Sequence, residues 1–129
     1  MGFDLFIHMT LMMDEATGKP FYYRTNKETG QMDKCYDIPI VEIPEELRKY
    51  LYGRGHHFHV YTEKFNRKDI FEVNVRTFLE RFPSWHRFEE SDYYEDDPDA
   101  WTREDHKNFK KLLKLLADLP IGFTVSWSY

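Results

Sequence analysis

The chain predicts an α+β fold: one globular domain over 1–129, with a mainly antiparallel sheet built from an N-terminal β-meander, a middle strand and a C-terminal strand, packed by about three helices. Three observations carry that expectation. Both ends of the chain alternate apolar and polar residues with period two, as a strand with one buried face does. Two glycine-containing turn segments follow the first strand at short spacing, which is hairpin chemistry. A long stretch near the C-terminus changes to the helical repeat of about 3.6 residues.

Residues 3–13 form the first expected strand, with Phe3, Leu5, Ile7, Met9, Leu11 and Met13 on one face and Asp4, Phe6, His8, Thr10 and Met12 on the other. The segment DEATGK then reads as a hairpin loop: Asp14 can bond its own backbone, and Gly18 can supply a positive φ. FYYRT is the return strand. NKETGQ repeats the turn chemistry with Gly30, and MDKCYDI is the third strand. Pro39 and Pro44 bracket an irregular connection. PEELRKYLY (44–52) reads as a short helix, with a proline in its first turn and acids behind it, closed by Gly53 and Gly55.

HHFHVYT (56–62) is the expected middle strand, and IFEV (70–73) a short extension of the sheet. Asn74 is placed to cap a helix over VRTFLERF, which Pro83 stops. Thr102 caps the longest helix, about 103–118, with Asp105 completing a capping box. In the closing GFTVSWSY, Phe123, Val125, Trp127 and Tyr129 alternate with Thr124, Ser126 and Ser128. Trp127 would be exposed unless that strand is paired, so it is expected to lie beside the first one.

Composition excludes several classes. Aromatic residues are 18% of the 129, far above what disordered chains carry. A chain of this length can bury roughly two-thirds of its unfolded surface without disulfide or metal support. The net charge of −5 gives no general attraction to nucleic acid or anionic membrane. Cys35 is the single cysteine, which suits a reducing, intracellular compartment and reads as a packed structural thiol. The N-terminal run has neither the basic leader of a signal peptide nor the length of a membrane span.

The chemistry-bearing residues collect in two places. If the first, middle and last strands share a sheet, one polar face gathers Asp4, His8, Thr10, His57, His59, Tyr61, Thr124, Ser126 and Ser128. His57 and His59, two apart on a strand, could reach one metal ion, with His8 or Asp4 as a third ligand; zinc or another divalent transition metal would suit such donors. The run His8-Met9-Thr10-Leu11 also resembles the His-x-Thr-hydrophobic motif of the two-histidine phosphoesterase family. That resemblance implies a histidine acid or base and a threonine donor facing a phosphate. The family's second such motif is missing, because neither His57 nor His59 is followed at the right spacing by Thr or Ser.

The second place is EESDYYEDDPD (89–99) and the tryptophan after it. Its seven acids in eleven positions disfavour helix, and the spacing is not that of a calcium loop. Tyr93, Tyr94, Asp96, Asp97 and Trp101 could present aromatic anchors and acids to a basic protein partner. The lysines of the long helix, with Arg103, make a basic ridge that reads as a solvated face rather than a phosphate contact.

The reading that fits best is a small, cytoplasmic, non-enzymatic binding or regulatory module, of the kind accessory or viral proteins supply. It acts by protein–protein docking, without a cofactor, a membrane or nucleic acid; a homo-oligomer stays open. The alternative is a histidine-dependent enzyme, metal-dependent or a phosphodiester hydrolase, using His8, Thr10, His57 and His59 on the polar sheet face.

Overall fold

A computed structural model describes residues 3–65, 70–91 and 101–128. The fold is α+β. Its main sheet has four strands, β1 (Asp4–Met9), β5 (Tyr52–Arg54), β6 (Glu72–Asn74) and β7 (Phe123–Ser128), in the order β5-β1-β7-β6. All three pairings are antiparallel. The last strand does lie beside the first, with Ile7 opposite Val125 and Leu5 opposite Trp127.

Side-chain parity explains that pairing. Leu5, Ile7, Phe123, Val125 and Trp127 all turn to one face and are buried in a single apolar cluster. On that face sits α5 (Arg103–Ala117), which contributes Phe109, Leu112, Leu113 and Leu116. Helix α3 (Val75–Glu80) adds Val75 and Phe78 and packs against both α5 and β7. Each such side chain stabilises the fold by about 1.5–3 kcal/mol on burial. Slipping β7 by one residue would turn its whole set outward, so the register is strongly specified.

Both predicted caps are present. The Asn74 side chain accepts from the Arg76 N–H at 2.7 Å, and Thr102 and Asp105 form the reciprocal capping box. Helices α1 (Glu45–Arg48) and α4 (Trp85–Glu89) are short. Helix α1 is followed by a single 3₁₀ turn, Lys49–Leu51.

The meander departs from the main sheet. The expected long strand 3–13 breaks after Met9: Thr10 makes a last backbone bond to the Gly122 carbonyl, and the chain crosses to a second sheet. That sheet holds β2 (Met12–Met13), β3 (Pro20–Thr25) and β4 (Met32–Cys35) in sequential order. Its two turns are built alike. Asp14 and Asn26 each accept a backbone N–H two residues on, from Ala16 and Glu28, both at 2.9 Å. Gly18 and Gly30 donate back to the carbonyls of Asp14 and Asn26 from φ of 70° and 74°. Cys35 is half-buried on β4.

The largest correction concerns the histidines. Residues 56–62 are not a strand: His56–Phe58 is a 3₁₀ turn and His59–Thr62 a turn of α-helix, α2. The middle strand exists, but it lies just upstream, at Tyr52–Arg54, where a helix end was expected. Gly53 is the reason. The Phe58 ring packs against the strand backbone so closely that a Cβ on Gly53 would lie 2.1 Å from it. The buried positions Phe58, Tyr61, Thr62 and Phe65 follow an i, i+3, i+4, i+7 stripe, which is helical spacing.

Candidate functional site

Helices cover one face of the main sheet. Among the described residues the other face is open, and its side chains can be placed from the register. Arg54, Asp4 and Ser128 form one row across the strands; Tyr52, Phe6, Ser126 and Glu72 form the next; His8, Thr124 and Asn74 form the third. Phe6 and Tyr52 are 39% and 55% exposed, unusual for aromatic side chains side by side on a sheet.

Polar contacts organise this surface. Asp4 accepts from the Tyr52 hydroxyl at 3.0 Å and lies 3.7 Å from the Arg54 guanidinium. The hydrogen bond to Asp4 raises the pKa of the Tyr52 phenol, with burial adding to the effect. His8 and Thr10 both reach diagonally to β7. The His8 Nε2 is 2.7 Å from the Ser126 hydroxyl, and the Thr10 and Thr124 hydroxyls are 2.5 Å apart. The His8 Nδ1 lies 3.2 Å from the Met9 carbonyl. A carbonyl can only accept, so Nδ1 carries the proton, and Nε2 of the neutral ring accepts from Ser126. The His8 and Phe6 rings sit 5.6 Å apart, so an aromatic strip runs down β1.

Of the residues that sequence places on this face, His8, Thr10, Thr124, Ser126, Ser128 and Asp4 are there. His57, His59 and Tyr61 are not, because the segment that carries them coils beneath the sheet. His57 is buried with its ring 4.3 Å from Phe58 and 6.0 Å from Trp101. His59 is half-buried against Phe3, on the core side of β1; burial lowers its pKa. Tyr61 is buried, with its hydroxyl 2.9 Å from His106. The proposed triad His8, His57 and His59 is therefore split by the sheet. No group of three or more His, Cys, Asp or Glu side chains among the described residues is arranged to hold a metal ion.

The second predicted locus divides differently. Tyr93, Tyr94, Asp96 and Asp97 lie outside the described residues. Trp101 is described, and it is half-buried against the core. It stands edge-on to Tyr50, Phe58 and Phe109 at 5.1, 4.5 and 5.1 Å. Its position just before the cap of α5 folds the indole back over the helix it precedes. Below it a cleft of about 270 Å³ is lined by Lys49, Tyr52, Arg54 and Asp105.

Sequence reasoning missed Tyr52, Arg54 and Glu72 as members of the open face. Phe6 carried a signal: it shares its parity with Asp4 and His8 in the N-terminal alternation. Comparison with protein-family models, with curated proteins and with solved structures returns no match to this chain. No helix among the described residues is long and apolar enough to cross a membrane.

Proposed function

We propose that this chain is a single-domain, non-enzymatic binding module of the cytoplasm that docks a protein partner on the open face of its main sheet. One observation carries the reading: Phe6 and Tyr52 stand adjacent and exposed on the uncovered face, flanked by Asp4, Arg54 and Glu72. An exposed aromatic pair with charged side chains on the same face is the composition of an interface. A photo-crosslinking amino acid at position 6 should capture a discrete protein adduct in extracts of the source cells. The same group at Lys110, on the solvated side of α5, should not. Equal labelling from both positions, or none from position 6, would count against docking here.

A second reading rests on the contact between Ser126 and His8. A hydroxyl 2.7 Å from an imidazole whose other nitrogen is held by a carbonyl has the geometry of an activated nucleophile, suited to ester or phosphodiester hydrolysis. Two features favour docking over it. The two groups stand on a solvent-exposed sheet face, whereas catalytic groups sit in concave sites. Ser126 and His8 also lie on the two inner strands, where backbone N–H groups are spent on the ladder rather than aimed at an oxyanion. Hydrolysis of p-nitrophenyl acetate or bis-p-nitrophenyl phosphate that is lost in both Ser126→Ala and His8→Ala would reverse that preference.

A further inference from the structure

We propose that the hollow between the two sheets binds a small monocarboxylic acid, with its apolar body among the walls of the hollow and its carboxylate on Arg76. The site goes beyond the docking reading, since neither Phe6 nor Tyr52 lines it.

The crossing of the chain after Met9 makes the space. The second sheet and the main body then enclose a hollow of about 330 Å³. The register sets Met12 opposite Phe21 and Met32 opposite Thr25, so Met12, Tyr23, Thr25 and Met32 share one face of the second sheet, and all four line the hollow. The main body contributes Val75, Leu116, Ile121 and Phe123, which are buried. Met32 is 61% exposed although it borders this apolar concavity. Long thioether side chains adapt to the shape of an apolar guest. A concave, mainly apolar space with few polar groups is the usual form of a small-molecule site.

Charge names the other end of the ligand. Among the described residues Arg76 is the one charged side chain that lines the hollow. Its Nε donates to the Ala117 carbonyl at 3.0 Å, which holds the guanidinium against the end of α5. It forms no ion pair with a described carboxylate, and Asp118 borders the adjoining cleft without pairing to it. The terminal nitrogens are thus left for an anion, in the fork that matches a carboxylate. Asn74 also lines the hollow. Its side-chain oxygen is spent on the Arg76 N–H, so its amide N–H₂ is a second donor at the start of α3.

One cation and no lining acid select a single negative charge. A phosphate monoester carries nearly two at neutral pH, and Arg76 alone would leave part of it uncompensated. An ammonium group would meet Arg76 with nothing to offset the repulsion. Volume sets the size: at about 30 Å³ for each water-sized group, 330 Å³ takes about ten non-hydrogen atoms. Octanoate is a probe of that size.

Isothermal titration calorimetry of the full chain with octanoate, 1-octanol and octylamine tests the assignment. Octanoate should bind with a dissociation constant on the order of 100 µM, and the other two at least about tenfold more weakly. Arg76→Met should weaken octanoate at least about tenfold and leave octanol within about twofold of its wild-type value. Ala117→Phe fills the hollow and should abolish binding of both; Met32→Trp narrows it from an exposed position and serves if Ala117→Phe does not fold. Phe6→Ser, on the open sheet face, should leave octanoate binding within about twofold. Circular dichroism and thermal melting confirm that each variant is folded before it is scored. Octanoate binding weaker than about 1 mM would overturn the inference, as would octanol or octylamine binding as well as octanoate. So would an Arg76→Met variant that loses neither ligand or both alike. Binding retained in a folded filling variant, or lost in Phe6→Ser, would place the acid elsewhere and overturn it too.

Discussion

Acidifying the protein from pH 7 toward 4 should remove stability through one buried histidine, His106. It lies on the core side of α5, only 6% exposed, beside the rings of Phe82, Phe88 and Tyr61. The Pro83 carbonyl accepts a hydrogen bond from it, and its Nδ1 is 2.9 Å from the Tyr61 hydroxyl. With Tyr61 donating to Nδ1, the neutral ring keeps its proton on Nε2. Burial lowers its pKa from 6.5 to about 4, against the Pro83 hydrogen bond, which raises it, and with help from Lys110. The folded value is the lower one, so the unfolded chain takes up the proton first as pH falls. The contribution is complete above about pH 6.5, is lost progressively down to about 4, and changes no further below that. At about 1.4 kcal/mol per pH unit the full window is worth about 3 kcal/mol. Urea unfolding of wild type and His106→Gln at pH 7.5, 6, 5 and 4.5 isolates the effect. Carboxylates titrate in both proteins and cancel in the difference, while Gln cannot titrate. The stability gap between the two should close, or reverse in sign, by about 2 kcal/mol or more between pH 7.5 and 4.5. A gap constant with pH would refute the argument and place His106 in contact with water.

Two further outcomes follow from the backbone. Gly53→Ala drives a methyl into the Phe58 ring, so it should cost about 3 kcal/mol in urea unfolding, and Gly53→Ala with Phe58→Leu should cost less than the sum of the two single changes. Gly30→Ala should cost about 1 kcal/mol through its positive φ of 74° alone, since the space around it is empty, and Gly30→Asn should cost less.

Much of the fold was legible because parity is a robust signal where a strand has one dry face. Leu5 and Ile7 on β1, and Val125 and Trp127 on β7, declare their sides in the sequence, and pairing the two strands follows from burying both. The caps of α3 and α5 were legible for a local reason: Asn74 and the pair Thr102 and Asp105 act within three residues. The histidine segment was not. His, Val, Tyr and Thr favour strands by propensity, and over seven residues HHFHVYT fits alternation as readily as a helical stripe. Tertiary packing decided it, by seating Phe58 against Gly53, a contact no local pattern announces. His106 hid in the same way. It holds the i−3 position to Phe109 on the apolar arc of α5, but its polarity disguised it until Tyr61 and Pro83 supplied partners.

The candidate site was legible in part for the same reasons. His8, Thr10, Thr124 and Ser126 face outward together because their neighbours face inward. Tyr52 and Arg54 entered only when the middle strand proved to be the stretch before the histidines.

Thiol labelling measures most directly whether β1 presents an open face. In a Cys35→Ser background, Phe6→Cys and Ile7→Cys place probes one residue apart on opposite sides of the sheet. At low protein concentration a maleimide should modify position 6 at nearly the rate of an unfolded control, and position 7 at least about a hundredfold more slowly, limited by opening of the core. Equal rates at the two positions, or a protected position 6 beside a reactive position 7, would contradict the account.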